Sequence, residues 1–261
     1  MFKNFRSRQK LTLLLVLILV ASLIIFSIFL SAVLQQNAKN QISSKAMMLM
    51  ETINSIGDYT KTHVQPELIN RIEVEFVPEI IPNFAAREIF KNFRQKPNYR
   101  DFFYKDATLN PLNSEDQADN FETEIIENFR EYEEVEESRG FRSALNGDLF
   151  YLARPLKVYE PSCLECHGEP SAAPPSLVER YGSVNGFGWK LNEIVGAQII
   201  SLPANQVINE ARQLFFLIIG IISFLFLAVI YVGVKLLNKV GQPIQLVQYI
   251  RQFNRFQHRK K

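Results

Sequence analysis

Two long uncharged runs bracket the chain. Leu11 to Val33 is 23 residues of almost unbroken Leu, Ile, Val and Phe, inside a charge-free stretch that lasts to Ala38. Gln213 to Val234 is the second, led by Leu214-Phe215-Phe216-Leu217-Ile218-Ile219. At about 1.5 Å per helical residue, either run covers the ~30 Å hydrocarbon layer of a bilayer. The first exceeds the ~7–15 apolar residues of a cleaved signal peptide, and no clear A-x-A site follows it. Both read as transmembrane helices, over 11–33 and 213–234.

Between them the period changes. Ile42, Ala46, Leu49, Ile53 and Ile56 recur at alternating steps of four and three, the seam of a coiled coil, which predicts a helix continuing out of the membrane and a homodimer. Thr60 and His63 take the next seam positions. Pro66 predicts the helix end, because the residue before a proline is pushed out of the helical region. Pro78 and Pro82 bracket a turn before Phe84 to Phe93, a short amphipathic helix, and Asn110-Pro111 with Asn113-Ser114 mark a loop. Ala118, Phe121, Ile125, Phe129 and Tyr132 form an apolar stripe that predicts a helix from about Glu115 to Glu137. Its acidic end (Glu131, Glu133, Glu134, Glu136, Glu137) reads as a solvated face. Two β-like runs, Phe141 to Leu145 and Leu149 to Val158, flank Asn146-Gly147, a strong hairpin signal. A last strand, Ile194 to Leu202, ends at Pro203, and Ala204 to Arg212 leads without a helix breaker into the second span. Antiparallel strands with helices packed on them make residues 34–212 an α+β domain.

Charge gives this arrangement a direction. Of 261 residues 21% are charged and 47% hydrophobic, which excludes a disordered chain. The net charge of +2 hides an asymmetry: Lys3, Arg6, Arg8 and Lys10 precede the first span, and Lys235, Lys239, Arg251, Arg255, Arg259, Lys260 and Lys261 follow the second, with no acid in either set. Residues 11–234 therefore carry −9. The positive-inside rule puts residues 1–10 and 235–261 in the cytoplasm. Residues 34–212 then face the periplasm of a two-pass bacterial inner-membrane protein. An acidic exported segment excludes nucleic acid as the expected partner, and the basic tail suits anionic lipid headgroups. Pro243-Ile244 with Val247 and Ile250 resembles the first helix of a HAMP relay. Its 27 residues are too few for the whole module or an output domain, so any histidine kinase or cyclase would act in trans.

The only two cysteines lie in Cys163-Leu164-Glu165-Cys166-His167, a C-x-x-C-H sequence, the attachment signature of c-type haem. Two thiols three positions apart can reach the two vinyl groups of one porphyrin edge, and the next histidine can ligate the iron. Zinc would want four Cys or His ligands, and only His63 and His258 remain, the latter expected across the membrane. A thioredoxin-like pair would sit at a strand-to-helix turn, whereas Gly168, Pro170, Pro174 and Pro175 follow here. A vicinal disulfide or a chance match is the remaining alternative. Haem c is attached outside the cytoplasm, where the charge rule independently puts the motif. One covalent haem c is expected, on Cys163, Cys166 and His167.

Val77 to Arg94, Tyr104 to Arg130, Gly147 to Leu156 and Cys163 to Pro203, with CLECHGEPSAAPPSLVERYG and NGFGWKLNEIVGAQ inside the last, resemble a known family. It comprises bacterial, notably cyanobacterial, periplasmic c-type haem sensor domains with a PAS-like fold, often found at the N-terminus of histidine kinases and cyclases. The resemblance covers most of residues 40–205. It implies a PAS-like antiparallel sheet with flanking helices, carrying a haem that senses a gas or redox signal. A cysteine sulfur serves as distal ligand in that family, but thioether bonds would consume both cysteines here. His63, the other exported histidine, is the candidate distal ligand, with Met47, Met48 and Met50 on the same expected helix as substitutes and an open site as the alternative.

The expected function is a membrane-anchored, non-enzymatic haem sensor that signals to a separate protein. The alternative is a membrane-tethered electron-transfer cytochrome with a redox partner. A haem peroxidase or nitrite-type catalyst is the weakest class, since no acid/base constellation accompanies the motif. Trp189, between glycines in Gly186-Phe187-Gly188-Trp189, is expected either against the porphyrin or in the core. Tyr151, Arg154 and Tyr181 are candidates for the distal face or a propionate.

Overall fold

The computed structural model describes residues 2–144 and 147–257. Along the chain come α1 (Phe2–Tyr59), a π-helical turn (Thr60–Val64), α2 (Gln65–Leu68), α3 (Pro82–Arg94), β1 (Phe103–Thr108) and α4 (Asn120–Glu131). Then follow β2 (Ser138–Ala144), β3 (Gly147–Lys157), α5 (Leu164–His167), α6 (Pro175–Tyr181), β4 (Ile194–Pro203) and α7 (Asn205–Gln257). The chain divides into two units, one of residues 1–37 and 209–261, the other Ala38–Ile208.

In the first unit, α1 and α7 are the two helices among the described residues long and apolar enough to cross a membrane, and no part of their most apolar windows is buried. Large side chains stand exposed along both, among them Leu13, Ile25 and Phe29 on α1 and Phe216, Phe224 and Leu227 on α7. Leaving each in water would forgo on the order of 1.5–3 kcal/mol, whereas hydrocarbon accepts them and a helix satisfies its own backbone there. His258, Arg259, Lys260 and Lys261 of the basic tail lie outside the described residues.

The second unit is α+β. Its four strands form one antiparallel sheet in the order β1-β4-β3-β2, so the last strand inserts between the first and the third. Alternation along the strands assigns the two faces. Phe150 and Leu152 of β3 and Ile200 and Leu202 of β4 meet Ile42, Ala46, Met50 and Ile53 of α1 and Ala86 and Phe90 of α3. Ala107, Ala153, Ala197 and Ile199 alternate to the other face, against Ile125, Ile126 and Phe129 of α4. The hairpin expected at Asn146-Gly147 joins β2 and β3, with Ala144 opposite Gly147; residues 145–146 lie outside the described residues.

Three expectations need correction, and one strand was not expected at all. The four-and-three stripe on α1 is not a seam toward a second copy: Ile42, Ala46 and Ile53, with Met50, are at most 3% exposed against the chain's own sheet. That removes the ground it gave for a homodimer. Pro66 does not end the helix. Its missing N–H and its ring would disrupt the turn at Thr62, and the chain widens there instead: the Gln65 N–H bonds the Thr60 carbonyl and the helix resumes as α2 with Pro66 in its first turn. α4 begins later than Glu115, because Asp119 and Glu122 form a reciprocal capping box that starts it at Asn120. It also ends at Glu131, the first residue of the acidic cluster; beyond it Glu133 bonds Lys157 at 3.2 Å and Glu137 bonds Arg154 at 3.3 Å, tying the segment to β3. Finally, the edge strand β1 went unforeseen, since Lys105 and Asp106 interrupt its pattern. Both find partners: Lys105 Nζ lies 2.7 Å from Glu122, and Asp106 accepts from Tyr104.

Candidate functional site

A 3-10 turn, Pro161–Cys163, runs directly into α5, so Cys163 and Cys166 stand three positions apart on nearly one helical turn and share a side. Both thiols are free and half-buried. His167 closes the turn. The Gly168 N–H returns to the Leu164 carbonyl at 2.9 Å, and a Cβ on residue 168 would lie 2.5 Å from that oxygen. Only glycine permits the chain to turn away directly behind the histidine. Cys166 rests on a small apolar cluster of Ala173, Leu177 and Phe187, with Phe76, Leu112, Val178 and Tyr181 around it. Burial pushes the Cys166 thiol up, opposite to the lowered thiols of redox Cys-x-x-Cys pairs.

His167 is held on three sides by residues 186–189. Its Nδ1 lies 2.8 Å from the Gly186 carbonyl. A carbonyl only accepts, so Nδ1 carries the proton and donates, and Nε2 keeps its lone pair. Burial lowers the His167 pKa, which the Gly186 carbonyl opposes; the neutral imidazole is favoured. The Trp189 indole stacks on the imidazole with centroids 3.8 Å apart and planes 4° from parallel. The Trp189 N–H bonds the His167 carbonyl at 3.0 Å, and the Gly188 N–H bonds the Gly168 carbonyl at 2.9 Å. Gly186 has φ +79°, and a Cβ there would meet Leu112 Cγ at 2.4 Å and its N at 2.6 Å.

The structure thus brings Cys163, Cys166, His167 and Trp189 together. His63 lies on the π-helical turn, exposed, its ring stacked on Tyr59 at 4.8 Å and its Nδ1 2.7 Å from Thr62 Oγ1. That turn reaches the motif's approach through the ion pair of Lys61 with Glu160. Of the methionines, Met50 is fully buried in the core, while Met47 and Met48 are 40% and 64% exposed. Tyr181 meets Phe76 edge-on beside Cys166. Tyr151 packs against Phe121 of α4, and Arg154 pairs with Glu51 and Glu137, so both serve the sheet. Among the described residues, no three His, Cys, Asp or Glu side chains converge to hold a metal ion.

Sequence reasoning missed the Gly186 carbonyl, although the glycines around Phe187 had signalled a close approach. It also missed a buried polar cluster beneath α3. There the Tyr104 hydroxyl donates to both Asp106 oxygens at 2.9 Å and accepts from Gln198 at 3.2 Å, and Arg87 bonds Asp116 at 2.7 Å. Burial raises the Asp106 pKa to about 7.

The α+β unit thus sets an adjacent thiol pair beside an oriented neutral histidine, in a chain with two helices of membrane-spanning length. A family model described as Tll0287-like: Tll0287 matches residues 35–203, and the chain belongs to that family. Family membership bears out the resemblance read from the four quoted stretches. Among solved structures the chain is similar to the cyanobacterial haem protein Tll0287, at 15% identity and a TM-score of 0.46 over 62% of this chain and 95% of that one. No curated protein matches it.

Proposed function

We propose that the chain is a two-pass membrane protein whose periplasmic domain carries one covalent haem c and senses a redox or gas signal for a separate output protein. The observation that carries this is the state of His167: with Nδ1–H committed to Gly186, Nε2 is an oriented, neutral donor next to two free thiols on one turn. Axial histidine ligands in metal sites characteristically donate their other N–H to a carbonyl or carboxylate, which fixes the tautomer and raises ligand basicity. The donor set fits haem better than zinc: Cys163, Cys166 and His167 do not converge on a point, and haem brings its own four in-plane nitrogens. Membership in the family of the haem protein Tll0287 supports the same group.

When bound, the group supplies an iron that changes oxidation state and takes axial ligands. Cys163 and Cys166 would tether it by thioether bonds and His167 Nε2 would ligate it, with His63 the candidate distal ligand. Trp189, stacked on that imidazole, would hold its ring plane. A displacement of His167 would pass through its carbonyl to the Trp189 N–H, and on to the turn where Glu193 and Asn192 bond Val158. β4 starts at the next residue and leads through Pro203 and Ala204 into α7. That path, hydrogen-bonded at its start and continuous in the chain from β4 on, is the proposed relay of a PAS-like sensor.

Electron transfer is the second reading, favoured by the partial exposure of Cys163, Cys166 and His167, which suits the partly exposed haem edge an electron carrier needs. The test is expression with a periplasmic haem-attachment system. The full chain should keep its haem stain on a denaturing gel, and Cys163→Ala with Cys166→Ala should lose it. Release of the haem by denaturant from the unmutated chain would overturn the proposal.

A further inference from the structure

We infer that Trp189 is a positioning residue for His167, setting the ring plane of the imidazole and its electron-donating strength; this rests on the haem reading above. The two rings are stacked and nearly parallel, 4° apart at 3.8 Å, so the indole lies against one face of the imidazole and opposes its rotation. The grip is not accidental crowding of side chains. Residues 167–168 and 188–189 are laced by two antiparallel backbone bonds, and Gly186 fixes the ring edge from the same loop. The loop itself is braced: Gly186 sits with φ +79° hard against the Leu112 backbone, and Phe187 is buried in the cluster under Cys166. Trp189 therefore reaches the imidazole from a platform whose backbone has little freedom to follow a side-chain change.

The electronic consequence follows from the indole quadrupole. Its face is electron-rich and attracts positive charge, and an imidazole bound to ferric iron carries more positive charge than one bound to ferrous iron. Stacking thus favours the oxidised form and holds the reduction potential down.

The experiment compares the full chain, haem loaded, with Trp189→Ala, Trp189→Leu and Trp189→Phe in detergent micelles. Removing the aromatic face should shift the oxidised-to-reduced ratio at a fixed potential about tenfold toward reduced, about 59 mV for one electron. It should also broaden the electron paramagnetic resonance signal, because the imidazole plane is no longer fixed. Trp189→Phe should restore most of both, which a merely space-filling role would not require. If Trp189→Ala fails to accumulate, Trp189→Leu keeps part of the apolar volume without the π face and is read the same way. An unchanged potential and an unchanged resonance line in a variant whose haem stain persists would overturn the inference alone. An unmutated chain with no covalent haem would overturn it together with the haem reading, and the stain separates the two cases.

Discussion

Replacing Asp106 by asparagine should stabilise the α+β unit, by an amount that grows with pH. Asp106 is 8% exposed on β1, and burial is the largest cause of its rise from 3.8 to about 7. Asp116 adds to the rise, while the Tyr104 hydroxyl, Arg87 and Asn83 oppose it. Burial and the Asp106 charge in turn keep the Tyr104 hydroxyl protonated as a donor. Because the folded pKa is raised, the folded chain holds a proton over a window in which the unfolded chain has released it. Stability is therefore greatest below the window and is lost as pH rises through it. At about 1.4 kcal/mol per unit, the shift corresponds to roughly 4 kcal/mol in full, and to roughly 2.5 kcal/mol between pH 5 and pH 8. The introduced amide would keep an acceptor for Tyr104 without the charge. Burial also raises the Asp116 pKa against the pull of Arg87, but Asp116 is present in both proteins, so their difference isolates Asp106 to first order. Trp189 is the sole tryptophan and lies in this unit, so its emission follows unfolding by denaturant without a contribution from the two long apolar helices. The stabilisation by Asp106→Asn should be larger at pH 8 than at pH 5 by the amount given. A gain independent of pH, or a loss at pH 8, would refute the buried, proton-holding carboxyl.

Other outcomes follow from the same geometry. If His63 ligates the iron, His63→Ala should turn a low-spin spectrum high-spin and open the site to carbon monoxide; an unmutated domain already high-spin and carbon monoxide-binding would make His63 a structural residue of the π turn. Gly186→Ala should cost about 1–3 kcal/mol in a denaturation midpoint, because a Cβ must enter the Leu112 backbone at positive φ; an unchanged midpoint would contradict the close approach. Reporter fusions active only outside the cytoplasm should work at residue 140 and be silent at 261, and activity at 261 would mean that one apolar run does not span.

Much of this was legible where local chemistry decides structure. The apolar runs, the β2–β3 hairpin and β4 announced themselves by composition and period, and the C-x-x-C-H spacing singled out the thiols and histidine without the fold. What stayed hidden depends on partners distant in sequence. A stripe at coiled-coil spacing looks the same whether a second helix or the chain's own sheet covers it, and here Met50 joins it in the buried cluster that includes Ile200. β1 is masked because Lys105 finds its partner in Glu122 of α4, and Asp106 is held by Tyr104 of the same strand, whose hydroxyl is fixed in turn by Gln198 of β4. Trp189 is expected against the porphyrin or in the core, and the structure stacks it on the His167 imidazole, a pairing no spacing within residues 163–189 encodes.

The central claim is the covalent haem on Cys163, Cys166 and His167, and its most direct test is the pyridine haemochrome spectrum of the purified full chain, read beside its intact mass. The account predicts the absorption band of a haem whose two vinyl groups are saturated by thioethers, and a mass increased by one haem that Cys163→Ala with Cys166→Ala abolishes. A haem with free vinyl groups, extractable into acidified acetone, or a chain of unmodified mass after expression with the attachment machinery, would contradict it.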